Sequence, residues 1–144
     1  MEDENSKERE SLFVQIQAMS VSEKIGLALK GSKEARNILI RDQNRVIQMA
    51  VISSPKLTDS EVMMIANNRE VNDDVLRYIA SKREWVRIYP LKVALVHNPK
   101  TPLNLSMKFL PYLNLRDLSS VAKSKSLPGA LAAAAANRLK ELKR

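Results

Sequence analysis

The chain writes the same corner twice: AVISSPKLTD at residues 50–59 and ALVHNPKTPL at residues 94–103 share an alanine, an apolar pair, a polar pair, Pro and Lys in register. Proline cannot continue a helix interior, so Pro55 and Pro99 end the segments before them. Thr58 and Thr101 follow as candidate caps of the segments after them. The corner belongs to a longer repeat of short apolar stripes that each end in alanine: KIGLA at Ala28, VIQMA at Ala50, VMMIA at Ala66, LRYIA at Ala80, PLKVA at Ala94 and LSSVA at Ala122. The residue before the alanine is apolar in every stripe, and the residue four before it is apolar except at Lys24 and Pro90. Positions i, i+3 and i+4 share one helix face, so each stripe predicts a buried seam whose small last residue lets a neighbouring helix come close. Ala66, Ala94 and Ala122 are spaced 28 residues apart and Ala50 and Ala80 are 30 apart, the period of a two-helix unit.

The rest of the chain agrees with an all-α fold. Three glycines, an aromatic content of 4% and no sustained alternation leave little for strands. Helix starts are marked by a polar residue followed three later by an acid, at Ser20 with Glu23, Thr58 with Glu61, Ser81 with Glu84 and Asn114 with Asp117. Thr101-Pro102 and, more loosely, Ser126-Leu127-Pro128 add starts with proline, and Gly31 suits a left-handed residue closing a helix. SLFVQIQAM, residues 11–19, offers Leu12, Phe13, Ile16 and Met19 to one side of a helix, while residues 1–11 form an acidic tail expected to be frayed. The remainder, 12–144, is expected to be a single helical-repeat domain that closes on a capping helix over about 128–143. The poly-alanine run in that helix lacks the bulky apolar groups needed to insert at a membrane surface.

The stripes and corners VIQMAVISSPKLTDSEVMMIA, VLRYIASKREW and YPLKVALVHNPKTPLNLSMKFLPYL resemble HEAT-type and armadillo-type helical repeats. That resemblance implies a short right-handed α-solenoid of stacked helix hairpins with about eight or nine helices. A compact orthogonal helical bundle is the alternative, because it would show similar stripes. Pro90 fits either a kinked first helix of a HEAT unit or a plain helix break. A bacterial leucine-rich-repeat variant also pairs short helices, but in its familiar form it carries a cysteine-bound cluster, and this chain has no cysteine.

Composition narrows the chemistry. Without cysteine there is no disulfide, thiolate metal site or thiol nucleophile, which places the chain by expectation in the cytoplasm. The polar N-terminus is unlike a secretory signal, and no stretch reaches the roughly 18 apolar residues of a membrane span. His97 is the only histidine, so an imidazole metal site and a Ser-His-Asp arrangement are poorly served. Gly26, Gly31 and Gly129 fit no phosphate-cradling motif, and acids such as Asp59, Glu61, Asp73 and Asp74 sit where they complement helix dipoles. No enzymatic activity, metal or cofactor is expected.

Charge points to binding instead. The formal net charge is +8, and five acids among residues 1–11 leave 22 bases against 11 acids in the rest. The densest cluster, SKREWVRIYPLK at residues 81–92, places Lys82, Arg83, Arg87 and Lys92 around Trp85 and Tyr89, although helical spacing also lets the aromatics face the core while the bases face water. Two further basic sets are Lys30, Lys33, Arg36, Arg41 and Arg45, and Lys123, Lys125, Arg138, Lys140, Lys143 and Arg144. The expected function is a non-enzymatic scaffold that binds an acidic protein or peptide through Lys82, Arg83, Trp85, Arg87 and Lys92. The alternative is sequence-independent binding of nucleic acid through its phosphates. No membrane partner is expected.

Overall fold

A computed structural model describes residues 2–143 and is helical throughout, with no strand among the described residues. The described residues hold eleven α-helices and one 3-10 turn in two compact units, one ending at Thr58 and the other starting at Asp59. The first unit holds α1 (Glu2–Gln17), α2 (Val21–Lys30), α3 (Lys33–Leu39) and α4 (Arg45–Ile52). The second holds α5 (Asp59–Ala66), α6 (Asp73–Ser81), α7 (Arg83–Val86), α8 (Tyr89–His97), α9 (Leu103–Phe109), the 3-10 turn Leu110–Tyr112, α10 (Leu115–Lys123) and α11 (Gly129–Leu142). The described residues thus hold more helices than the eight or nine expected, among them the four-residue α7 and the seven-residue α3 and α9.

Polar caps set several helix starts. Ser20 accepts from the Glu23 amide while the Glu23 carboxylate accepts from the Ser20 amide, closing a capping box on α2. Asn114 accepts from the Asp117 amide at 2.8 Å and starts α10. Pro90 occupies the first turn of α8, so the chain breaks there instead of kinking. Three expectations need correction. Ser81 does not cap the next helix: it ends α6, its hydroxyl donates to the Tyr78 carbonyl at 2.7 Å, and α7 starts after Lys82 with no side-chain cap. Thr101 does not cap α9: its hydroxyl is buried and has no hydrogen-bond partner among the described residues, and Pro102 takes the cap position. Gly31 is not left-handed, with φ of −82°. It is needed for space, since a Cβ there would lie 2.5 Å from the Leu27 carbonyl oxygen that accepts the Gly31 amide.

The alanine seams are inside. Ala28, Ala50, Ala66, Ala80 and Ala94 are all buried and Ala122 is half-buried, although Val46, at the head of one stripe, turns outward. In the first unit α2 packs on α4 and α1 on α3, around Ile16, Leu39, Ile47 and Val51. In the second unit α5 packs on α8 and α8 on α10, the three helices whose alanines are 28 residues apart, while α9 packs on α11. Small residues along these contacts let the backbones approach, and Leu76, Ile79, Leu91, Leu95 and Leu118 fill the space between.

The repeated corner has a physical job. In the first unit Ser54 accepts from the Lys56 amide and donates to the Leu29 carbonyl at 3.3 Å, and Lys56 Nζ donates to the Lys30 carbonyl at 3.1 Å. Both carbonyls belong to the unpaired last turn of α2. In the second unit the Asn98 Oδ1 accepts from the Lys100 amide at 2.9 Å, and its Nδ2 donates to the carbonyls of Ala66 at 2.8 Å and Asn68 at 2.9 Å. Asn68 shapes its own turn by accepting from the Glu70 amide at 2.8 Å, and Ser124 accepts from that of Ser126 at 3.3 Å. Each corner side chain thus folds its own turn, and the buried ones also complete a helix end laid down about 25 to 32 residues earlier.

Removing Asn98 leaves the buried Ala66 carbonyl without its donor, a loss of about 2–3 kcal/mol. Asn98→Ala is therefore expected to lower the urea midpoint with little change in slope. Asn98→Asp, which cannot donate, is expected to be no better. Near-wild-type stability of either variant would contradict the role given to this corner.

Candidate partner-binding surface

The cluster singled out by sequence lies entirely in the second unit, where the chain makes a single-turn helix between two breaks. Lys82 is extended and starts α7 without a side-chain cap, and Ile88 is extended again before α8. A four-residue helix has no buried face of its own, and none of its residues is buried. Arg83 and Arg87 are exposed, and Trp85 is half-buried with its ring 6.1 Å from that of Tyr78, the planes inclined at 53°. Trp85 thus sits neither in the core nor in open water. Lys82 Nζ lies 4.9 Å over the Tyr78 ring. Lys92, on α8, lies 4.8 Å over the ring of Tyr112, which is exposed.

The five predicted residues fall into two groups. Lys82, Arg83, Trp85 and Arg87 are local to α7 and the residues flanking it, whereas Lys92 is tied to Tyr112, an anchor that sequence reasoning missed because it lies 20 residues away. Among the described residues no carboxylate stands within ion-pair distance of Lys82, Arg83, Arg87 or Lys92. These four cations thus have no ion-pair partner among the described residues, and Glu84 on α7 is the acid that lies among them in sequence. Tyr89 serves architecture: its hydroxyl donates to Asp117 at 2.5 Å and accepts from the Asn114 amide at 3.0 Å, joining α8 to the start of α10.

The other basic sets are placed differently. Arg36 is buried, with Nη1 donating to the Gly31 carbonyl at 2.8 Å, so one member of the first set is part of the core. Lys33 and Arg41 are exposed and line an open cleft of about 790 Å³. In the C-terminal set Lys123, Lys125, Lys140 and Lys143 are exposed, Arg138 reaches Glu141 at 3.7 Å, and Arg144 lies outside the described residues. Among the described residues no group of three or more potential metal ligands is found, and no helix is long and apolar enough to cross a membrane.

His97, in the last turn of α8, is half-buried. Burial pushes its pKa below the ordinary value of 6.5; the charge of Asp117 opposes this and that of Arg69 adds to it. A depressed folded value means that the unfolded chain takes up the proton first. Stability from the neutral ring is then whole above about pH 6.5 and is lost as pH falls through the folded value. Urea midpoints are expected to decline from pH 7 to pH 5, with a shallower decline in His97→Gln. An identical pH profile for the two proteins would contradict this environment.

No family model matches the chain, and neither the curated proteins nor the solved structures include one with significant similarity to it.

Proposed function

We propose that the chain is a non-enzymatic helical-repeat module that binds an acidic protein or peptide segment on the surface formed by Lys82, Arg83, Trp85, Arg87 and Lys92. The observation that carries this reading is the set of three cations, Lys82, Arg83 and Arg87, beside a half-buried tryptophan, with Lys92 over Tyr112 on the next helix and none of the four in an ion pair among the described residues. A partly exposed aromatic anchor ringed by unpaired charge suits a partner that brings the opposite charge.

The helix order supports a solenoid-like arrangement within the second unit. Helices of equal register, α5, α8 and α10, touch in chain order, and a corner side chain reaches back to the helix one repeat earlier. This is how HEAT-like units stack, and such stacks present an extended surface instead of a pocket. An acidic peptide is favoured over nucleic acid because Lys82 and Lys92 already cover the Tyr78 and Tyr112 rings. Those faces are not free to stack on bases.

Trp85 is the only tryptophan, so its emission reports on this surface directly. Titration with a poly-glutamate peptide at low salt is expected to shift that emission, and added salt to weaken the effect through screening. Arg83→Glu combined with Arg87→Glu should reduce the apparent affinity by about tenfold or more, at roughly 0.2–1 kcal/mol for each lost attraction plus the repulsion that replaces it. Random duplex DNA binding more tightly than the peptide, or affinity unchanged by the double reversal, would overturn the proposal.

A further inference from the structure

We propose that the cleft between α1 and α3 in the first unit is a self-complementary docking face for a second copy of this chain. This inference is independent of the surface around Trp85. The first observation is the state of α1, which starts at Glu2 where the sequence led us to expect a frayed tail. From Glu4 to Ser11 every side chain that can be described is exposed. The helix is held to its unit chiefly by buried Ile16 and half-buried Leu12, while Phe13 and Val14 are half or more exposed. Isolated helices of this length are marginal in water, so more than two turns standing clear of their own core call for support from outside.

The second observation is the cleft. Phe13, Val14 and Ile38 supply an apolar floor in a space of about 790 Å³. The rim carries both signs of charge, with Arg9, Lys33 and Arg41 against Glu10 and Glu34, and among the described residues none of the five is in an ion pair. Arg9 and Glu10 lie four and three residues before Phe13, on the same helix face. A partner of one sign would be repelled by part of this rim. A copy related by a two-fold axis brings three bases to two acids and two acids to three bases, and lays Phe13 and Val14 of each chain over the floor of the other.

Sedimentation of the full chain from about 1 to 200 μM is the test. The expected result is a concentration-dependent rise from the 16.2 kDa monomer to twice that mass. Phe13 is half exposed, so Phe13→Glu should keep the helical circular dichroism and remain monomeric throughout. A rim made wholly basic by Glu10→Lys and Glu34→Lys should weaken self-association at least about tenfold. Mixing it with a rim made wholly acidic by Arg9→Glu, Lys33→Glu and Arg41→Glu should restore a mixed dimer. A monomer at every concentration, a dimer indifferent to Phe13→Glu, or opposite-charge variants that fail to pair would each overturn the proposal.

Discussion

The structure depends on what happens to backbone carbonyls where short helices end. Every α-helix leaves four carbonyls without intrahelical partners, and the eleven helices of the described residues meet that problem every dozen residues or so. At the ends of α2 and α5 this protein meets it with a corner side chain that bonds forward to its own turn and backward to the earlier helix. Asn98 is the fullest case, with Oδ1 committed to the Lys100 amide and both Nδ2 hydrogens to the carbonyls of Ala66 and Asn68. Because those partners are some thirty residues apart in sequence, one amide group ties a local turn to the register of a long-range contact. Ser54 does the same in the first unit with a smaller group.

Once the corners hold the helix ends in register, the seams can close. Buried alanines at Ala28, Ala50, Ala66, Ala80 and Ala94 keep the helices near one another, and branched aliphatic side chains fill the remaining volume. The helices are too short to be stable alone, so their order comes from this packing and not from propensity. The same logic explains the acid-sensitive joint at the end of α3, where Lys24 reaches Asp42 at 2.9 Å, Asp42 receives the Asn44 amide and Gln48 donates to the Asp42 carbonyl. The Lys24 bond, followed by that amide, holds the Asp42 carboxyl below its ordinary range. The stability it contributes is present above about pH 4 and lost in stronger acid.

Much of the fold was legible because its signals are local. The alanine stripes, the capping box at Ser20, the Asn114 cap and the C-terminal helix starting beside Pro128 all depend on residues within a turn of one another. The harder features depend on neighbours distant in sequence. Thr101 looks like a cap, but its hydroxyl is buried and has no hydrogen-bond partner among the described residues. Gly31 looks like a left-handed terminator, but its requirement comes from the Leu27 carbonyl. The candidate surface was only partly visible: the run of bases around Trp85 is in the sequence, while Tyr78 and Tyr112 as seats for Lys82 and Lys92 emerge only when the helices pack. The cleft beside α1 was hidden for another reason. Adjacent Phe13 and Val14 cannot both face one core, and periodicity alone assigned Phe13 inward.

The proposed function rests on shape and charge, so the most direct test concerns the contacts that fix the shape. Native-state hydrogen exchange of the Lys100 and Thr101 amides serves that purpose, because both lie in a turn outside any helix and both donate within the Asn98 corner. If the corner organises the fold, these amides exchange as slowly as those of buried α8 and open only with global unfolding. Exchange at the rate of an unstructured loop, while α8 stays protected, would contradict it.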